Sequence, residues 1–165
     1  MSQTASRLAE LGIVLPKPAA PVANYVPAVR TPGNAAAGVL PQLWISGQLP
    51  LGRDGKLAER HTGKLGPGST VDAAREAARL SAINLLAQVE AALGDLDKIV
   101  QTIRLGGFFN VAGAFDPLPQ AMNGASDLMV EVLGERGRHA RTTVGVAHLP
   151  LNALAEVEAV FLVSF

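Results

Sequence analysis

Apolar residues recur along this chain at two spacings, and the switches between them mark its elements. Between Val71 and Leu93, the residues Ala74, Ala78, Ala82, Leu85, Leu86, Val89 and Leu93 form one stripe of a helical repeat, with Arg75, Glu76, Arg79 and Glu90 outside it. Thr70 stands as N-cap, Asp72 favours the positive end of the helix dipole, and Gly94 is placed as a C-terminal stop, so one long helix is predicted over 71–93. A second helix is predicted from Pro119 to Leu133, with a proline in its first turn and Gly134 after its end. Thr4 to Leu11 has the pattern of a short helix stopped by Gly12, too short to be stable undocked.

The two-residue repeat appears elsewhere. Ile99, Gln101, Ile103 and Leu105 alternate with Val100, Thr102 and Arg104, which predicts a strand, and Gly106-Gly107 is expected to mark a bulge before Phe108 and Phe109. Two final strands are predicted over 142–147 and 155–163. Near the start, 25–30 and 39–48 flank a Thr31-Pro-Gly-Asn34 turn and read as an antiparallel pair. In the second of these, Trp44 and Ser46 share one face and Leu43 and Ile45 the other. A turn at Arg53-Asp-Gly-Lys56 leads to a short strand expected around Lys64 and Leu65. The order β-β-β-α-β-α-β-β predicts an α+β domain, a mixed six-stranded sheet with both helices packed on one face. Pro16, Pro18 and Pro21 punctuate an extended connector, which divides the chain into an N-terminal helix and Pro-rich connector over 1–23 and a main domain over 24–165.

Composition narrows the function classes. A chain of 165 residues with 48% hydrophobic content suits one compact domain with a sizeable core. Fourteen basic residues balance fourteen acidic ones, so no global field draws in nucleic acid or an anionic membrane, and any anion site must be local. With no cysteine, the protein forms no disulfide and offers no thiolate nucleophile. Neither a signal peptide nor a run approaching the roughly 20 apolar residues of a membrane span is apparent, so a cytoplasmic location is expected.

The candidate chemistry lies near the end of the chain. Arg141 presents a planar fork suited to a carboxylate or phosphate, although strand arginines also form ordinary surface ion pairs. Glu156 and Glu158 share one face of the last strand, and pairing is expected to bring at least one of them toward a neighbouring strand carrying Arg141. Burial raises a carboxyl pKa and a nearby arginine lowers it, which leaves a proton-transfer group and a structural ion pair both open.

These residues sit in a wider pattern. Ala140-Arg141-Thr142, Leu149-Pro150 and Glu156-Val157-Glu158-Ala159 resemble the C-terminal signature of the Rid family of reactive-intermediate deaminases, also called the YjgF or endoribonuclease L-PSP family. Tyr25 matches its N-terminal aromatic, Ser46-Gly47-Gln48-Leu49-Pro50 its Ser-Gly-Gln-(Ile/Leu)-Pro motif, and Asn123 an asparagine on its second helix. The resemblance covers about the last 140 residues, by motif order. It implies a chorismate mutase-like fold, a homotrimer with its sites between subunits, and hydrolysis of small 2-imino or enamine carboxylates to 2-oxo acids and ammonia without a metal or cofactor. By the same resemblance Arg141 binds the substrate carboxylate and Glu156 positions the attacking water, while Tyr25, Ser46, Gly47, Asn123 and Thr143 line the pocket. Thr143 stands where many members have a cysteine, Gly145 where some have a charge, and the first twenty residues exceed the usual family length.

Other signals are weaker. Gly63-Lys-Leu-Gly-Pro-Gly68-Ser-Thr70 has the look of a phosphate loop, but Ser69 occupies the position of the required lysine. His61, His139 and His148 are scattered and, without cysteine, cannot assemble the usual zinc site of nucleobase deaminases. Hydrolytic deamination without a metal demands an already activated carbon, as in an imine or enamine. Two alternatives remain: a non-catalytic module that senses small 2-oxo acids through Arg141, and an RNA-binding or ribonuclease protein using the basic run Arg136, Arg138, His139, Arg141. Neutral charge and the lack of interleaved aromatics disfavour the second.

Overall fold

The computed structural model describes residues 2–18 and 24–165, and Pro21 of the connector lies outside them. Three α-helices and five strands follow in chain order: α1 (Gln3–Glu10), β1 (Ala28–Arg30), β2 (Gln42–Gln48), α2 (Val71–Leu93), β3 (Ile99–Asn110), α3 (Leu118–Leu133), β4 (Ala140–Val146) and β5 (Ala155–Val163). The long helix has its predicted bounds. Gly94 ends it with φ 75°, a conformation that favours glycine, whereas Thr70 occupies the N-cap position without a side-chain cap bond.

The strands form one mixed sheet in the order β1-β2-β5-β3-β4. Only β3 and β4 run parallel, because α3 carries the chain back to the same end of the sheet between them. One face of the sheet carries Leu43, Ile45, Leu105, Phe109, Val157 and Phe161, all buried in the core with the alanine and leucine stripe of α2 and Met122, Ala125 and Met129 of α3. Small residues on α2 let it lie close to the strands. Across the sheet, Trp44 pairs with Val29 and Val160 on the face opposite the helices, and Trp44 is 50% exposed.

Four expectations are corrected. The sheet has five strands, not six: at Leu65 there is only an isolated bridge to Val111, because Gly63, Gly66, Pro67 and Gly68 interrupt any longer run. The first two strands start later than expected, directly after Pro27 and just after Pro41, residues that have no N–H to give a ladder. No bulge occurs at Gly106-Gly107, where pairing with both neighbours is regular; the register shifts instead between Ile99 and Gln101 and between Thr102 and Arg104. The two glycines serve close approach, since a Cβ on Gly106 would lie 2.7 Å from Glu158 Oε1 and one on Gly107 2.3 Å from Met122 Sδ. The bulges also break the alternation, so that Thr102 is buried and Ile103 exposed.

Helix α1 docks on the main body. Asp97 accepts from the Gln3 N–H at 2.7 Å and the Thr4 N–H at 2.9 Å, while Leu8 enters the core. No helix among the described residues is long and apolar enough to cross a membrane.

Candidate functional site

The topology separates the two residues that sequence reading had joined. β3 lies between β4 and β5, so Arg141 and Glu156 are not on neighbouring strands. They also point to opposite faces. Arg141 pairs with Leu105, a core residue facing the helices, whereas Glu156 pairs with Phe108 on the other side of the pleat. The expected direct approach fails because a parallel crossover inserted β4 at the sheet edge beyond β3.

Arg141 is wired to α3. Its Nη1 donates to Asn123 Oδ1 at 2.8 Å and to Ser126 Oγ at 3.0 Å, and its Nη2 donates to the Pro119 carbonyl at 3.2 Å. Both Nη1 hydrogens are thus used, while Nε–H and the second Nη2 hydrogen have no partner among the described residues. Beside it lies a shallow cleft of about 280 Å³ lined by Ser126, Asp127, Val130, Arg138, His139 and Arg141. Arg138 there is paired with Glu135 at 2.9 Å and Asp127 with Arg75 at 2.7 Å, whereas Arg141 has no carboxylate partner among the described residues. Thr143, two residues further along β4, has a buried hydroxyl with no hydrogen-bond partner among the described residues.

Glu156 belongs to a different cleft, of about 820 Å³, between β2, the loop after it and the start of β5. Tyr25, Gly47 and Glu156 line it with Leu49, Leu51 and Leu57. Gly47 makes room for the carboxyl, since a Cβ there would lie 2.0 Å from Glu156 Oε1. Burial pushes the Glu156 carboxyl above the usual glutamate range, and the Glu158 charge pushes it further. Ser46 does not line this cleft; its hydroxyl donates to the Val26 carbonyl at 2.9 Å, tying the segment that carries Tyr25 to β2. Under Gly47, the buried Gln48 donates to the Ser46 carbonyl at 2.9 Å and accepts from Gln88 of α2 at 3.3 Å. On the lip, Leu151 holds a positive φ of 54°, as does the next residue Asn152 at 56°, a conformation that non-glycine residues rarely adopt.

The proposed pocket residues therefore fall into two groups: Asn123 with Arg141, and Tyr25 and Gly47 with Glu156. Among the described residues, no three His, Asp or Glu side chains converge as metal donors.

The chain matches the family described as "YjgF/chorismate mutase-like, putative endoribonuclease" over residues 5–163. It belongs to that family. The chain is 44% identical over 158 residues to Protein TCP17 of Trypanosoma cruzi, spanning 95% of this chain and 92% of that protein. A solved structure of unknown function from Agrobacterium tumefaciens is 45% identical, with TM-score 0.83, covering 98% of this chain and 92% of that one. Another, from Shewanella oneidensis MR-1 and described as "a putative endoribonuclease", is 37% identical with TM-score 0.87, covering 98% of this chain and 100% of that one. The family match includes most of α1, which sequence reading had set apart from the main domain.

Sequence reasoning passed over Ser126 and His139. The signal was present: Ser126 follows Asn123 at helical i,i+3 spacing and His139 precedes Arg141 by two, so each shares a face with a residue already singled out. Sequence reading names His139 only among the scattered histidines and in a basic run, in which Arg136 donates to the Ile99 carbonyl at 2.8 Å and Arg138 pairs with Glu135 at the surface.

Proposed function

We propose that this protein hydrolyses small 2-imino or enamine carboxylates to 2-oxo acids and ammonia, in a homotrimer whose pockets combine the Arg141 group of one subunit with the Glu156 group of another. The observation that carries this reading is Arg141, fixed by three hydrogen bonds to α3, without a carboxylate partner among the described residues, and left with donors on Nε and Nη2. Such a fork fits a planar carboxylate. Glu156, ionised, takes a proton from water as the water oxygen bonds to the imine carbon and passes it to the nitrogen, giving a carbinolamine; it then takes the hydroxyl proton and passes it to the amino nitrogen as the carbonyl forms, the C–N bond breaks and ammonia leaves. An imine carbon is electrophilic enough to accept water without a Lewis acid, so the step needs no metal or cofactor. The apolar wall of Leu49, Leu51 and Leu57 would receive the carbon skeleton.

The two half-sites give a direct test. Ammonia release from freshly generated 2-iminopropanoate should scale with protein concentration and vanish in Arg141→Ala and in Glu156→Gln. Equal mixing of the two inactive variants with subunit exchange should restore about a quarter of wild-type activity, since about one pocket in four would draw both native residues from different chains. A mixture that stays inactive would sink the composite site. Saturable binding of 2-oxo acids with no acceleration of imine loss would leave a sensor instead.

The endoribonuclease description carried by relatives favours a second reading, RNA cleavage or binding. Tight RNA binding that weakens steeply with added salt would support it. Against it, Arg136 is partly buried with its guanidinium on the Ile99 carbonyl, and the charge of Arg138 is balanced at the surface by Glu135.

A further inference from the structure

His139 and Ser126 stand directly behind Arg141, and their hydrogen bonds run in one direction. His139 Nδ1 lies 2.6 Å from the Gly137 carbonyl oxygen. A carbonyl only accepts, so the ring proton sits on Nδ1. In the neutral ring Nε2 is then an acceptor, and at 3.0 Å from Ser126 Oγ it takes the hydroxyl hydrogen. With its hydrogen committed to the imidazole, Ser126 Oγ turns lone pairs toward Arg141 Nη1 at 3.0 Å. Burial keeps the imidazole below its usual pKa, although the Gly137 carbonyl opposes this, and the neighbouring Arg141 charge adds to it. A serine hydroxyl left to itself rotates freely and could offer either its hydrogen or its lone pairs. Here the histidine makes that choice.

We propose that His139 and Ser126 are positioning residues that set the direction of the Arg141 fork and so make the site selective for a carboxylate over a neutral group of the same shape. Asn123 and the Pro119 carbonyl hold two points of the guanidinium, and Ser126 supplies a third. Three fixed points leave the plane no freedom to tilt. The donors left over are Nε–H and one Nη2 hydrogen, and we take them as the two-donor fork. A carboxylate can accept both hydrogens, whereas a carboxamide presents one acceptor and one donor and meets the fork with a mismatch. This proposal rests on the reading of Arg141 as a carboxylate clamp.

The test uses the full chain in its native assembly with pyruvate and pyruvamide as probes. Wild-type protein should prefer pyruvate, and both Ser126→Ala and His139→Phe should weaken pyruvate binding about tenfold while leaving pyruvamide unchanged. Ser126→Thr, which keeps the hydroxyl, should restore pyruvate binding to within about twofold of wild type. Two nitrogen NMR signals separate the relay from the clamp. The His139 ring should show the Nδ1–H tautomer, and exchange of the Arg141 Nε–H with water should quicken several-fold in Ser126→Ala and in His139→Phe. An Nε2–H tautomer, an unchanged exchange rate, or equal loss of both probes would overturn the relay. A wild-type protein with no preference for pyruvate, but with the expected tautomer and exchange rates, would overturn the clamp while leaving the relay intact.

Discussion

The Arg141 corner and the Glu156 cleft solve opposite problems. Arg141 is exposed, yet three hydrogen bonds to α3 fix it. Glu156 is partly buried, lines a cleft with leucines, and has no hydrogen-bond partner of its own among the described residues. A guanidinium cannot lose its charge at any pH the fold survives, so the only property left for the structure to set is its direction. A carboxyl can hold or release a proton, and there the structure sets the charge through burial and the neighbouring Glu158. One site is controlled by hydrogen bonds and the other by desolvation.

That contrast can be broken most forcefully at the corner. Arg141→Ala should lower kcat/KM for an imino acid about 1000-fold, and Arg141→Lys, which keeps the charge but not the fork, about 100-fold. If lysine restored full activity, charge alone would suffice and the wiring to α3 would be incidental.

In the cleft, Glu156→Gln should cost about 100-fold in kcat, and its effect on stability should follow pH. Because burial raises the folded-state pKa, the folded protein holds a proton that the unfolded chain has released. The stabilising contribution is complete below the ordinary glutamate pKa and is lost as pH rises through the raised one. Urea unfolding should therefore show wild-type protein losing ground to Glu156→Gln as pH climbs toward neutrality. The reverse slope would mean that the native carboxylate has a cationic partner.

A subtler change moves Glu156 without removing it. Gly47→Ala would place a methyl 2.0 Å from the present position of Oε1, and the flexible carboxyl end can swing away at little structural cost. Activity should fall about tenfold with the melting temperature nearly constant. A large drop in melting temperature would show that Gly47 serves the backbone.

The smallest expected effect lies away from both sites and serves as their control. Asp97 anchors the start of α1, and its hydrogen bonds from Thr4 hold its carboxyl below the usual aspartate range. Its stabilising contribution is present above the ordinary aspartate pKa and is lost as pH falls through the lowered one. Asp97→Ala should cost about 1 kcal/mol at neutral pH and speed amide exchange in residues 3–10, with catalysis unchanged. A loss of activity there would tie α1 to the site.

Much of this molecule was legible from local pattern. The long helix ends where Gly94 adopts a left-handed turn, and the second helix and the last strand fall within a residue of their expected bounds. Errors arose where local pattern met tertiary demand. Gly106 and Gly107 have the local sign of a bulge, but their lack of a side chain serves Glu158 and Met122, which approach from elsewhere in the chain. Leu65 sits among turn residues that leave it one bridge rather than a strand.

The candidate residues show the same division. Arg141, Glu156, Gly47, Tyr25 and Asn123 could be named from the sequence because motif spacing and residue chemistry are local properties. Their arrangement could not. Strand order depends on how the crossover through α3 places β4 outside β3, and that single choice sets Arg141 and Glu156 on opposite faces of one subunit. The sequence by itself determined the elements, the buried stripes and the kinds of functional group present, since periodicity and side-chain chemistry need no partner. Only the tertiary structure decided which groups meet, which carboxyl is desolvated and which hydroxyl faces Arg141, because burial and hydrogen-bond direction are set by atoms distant in the chain.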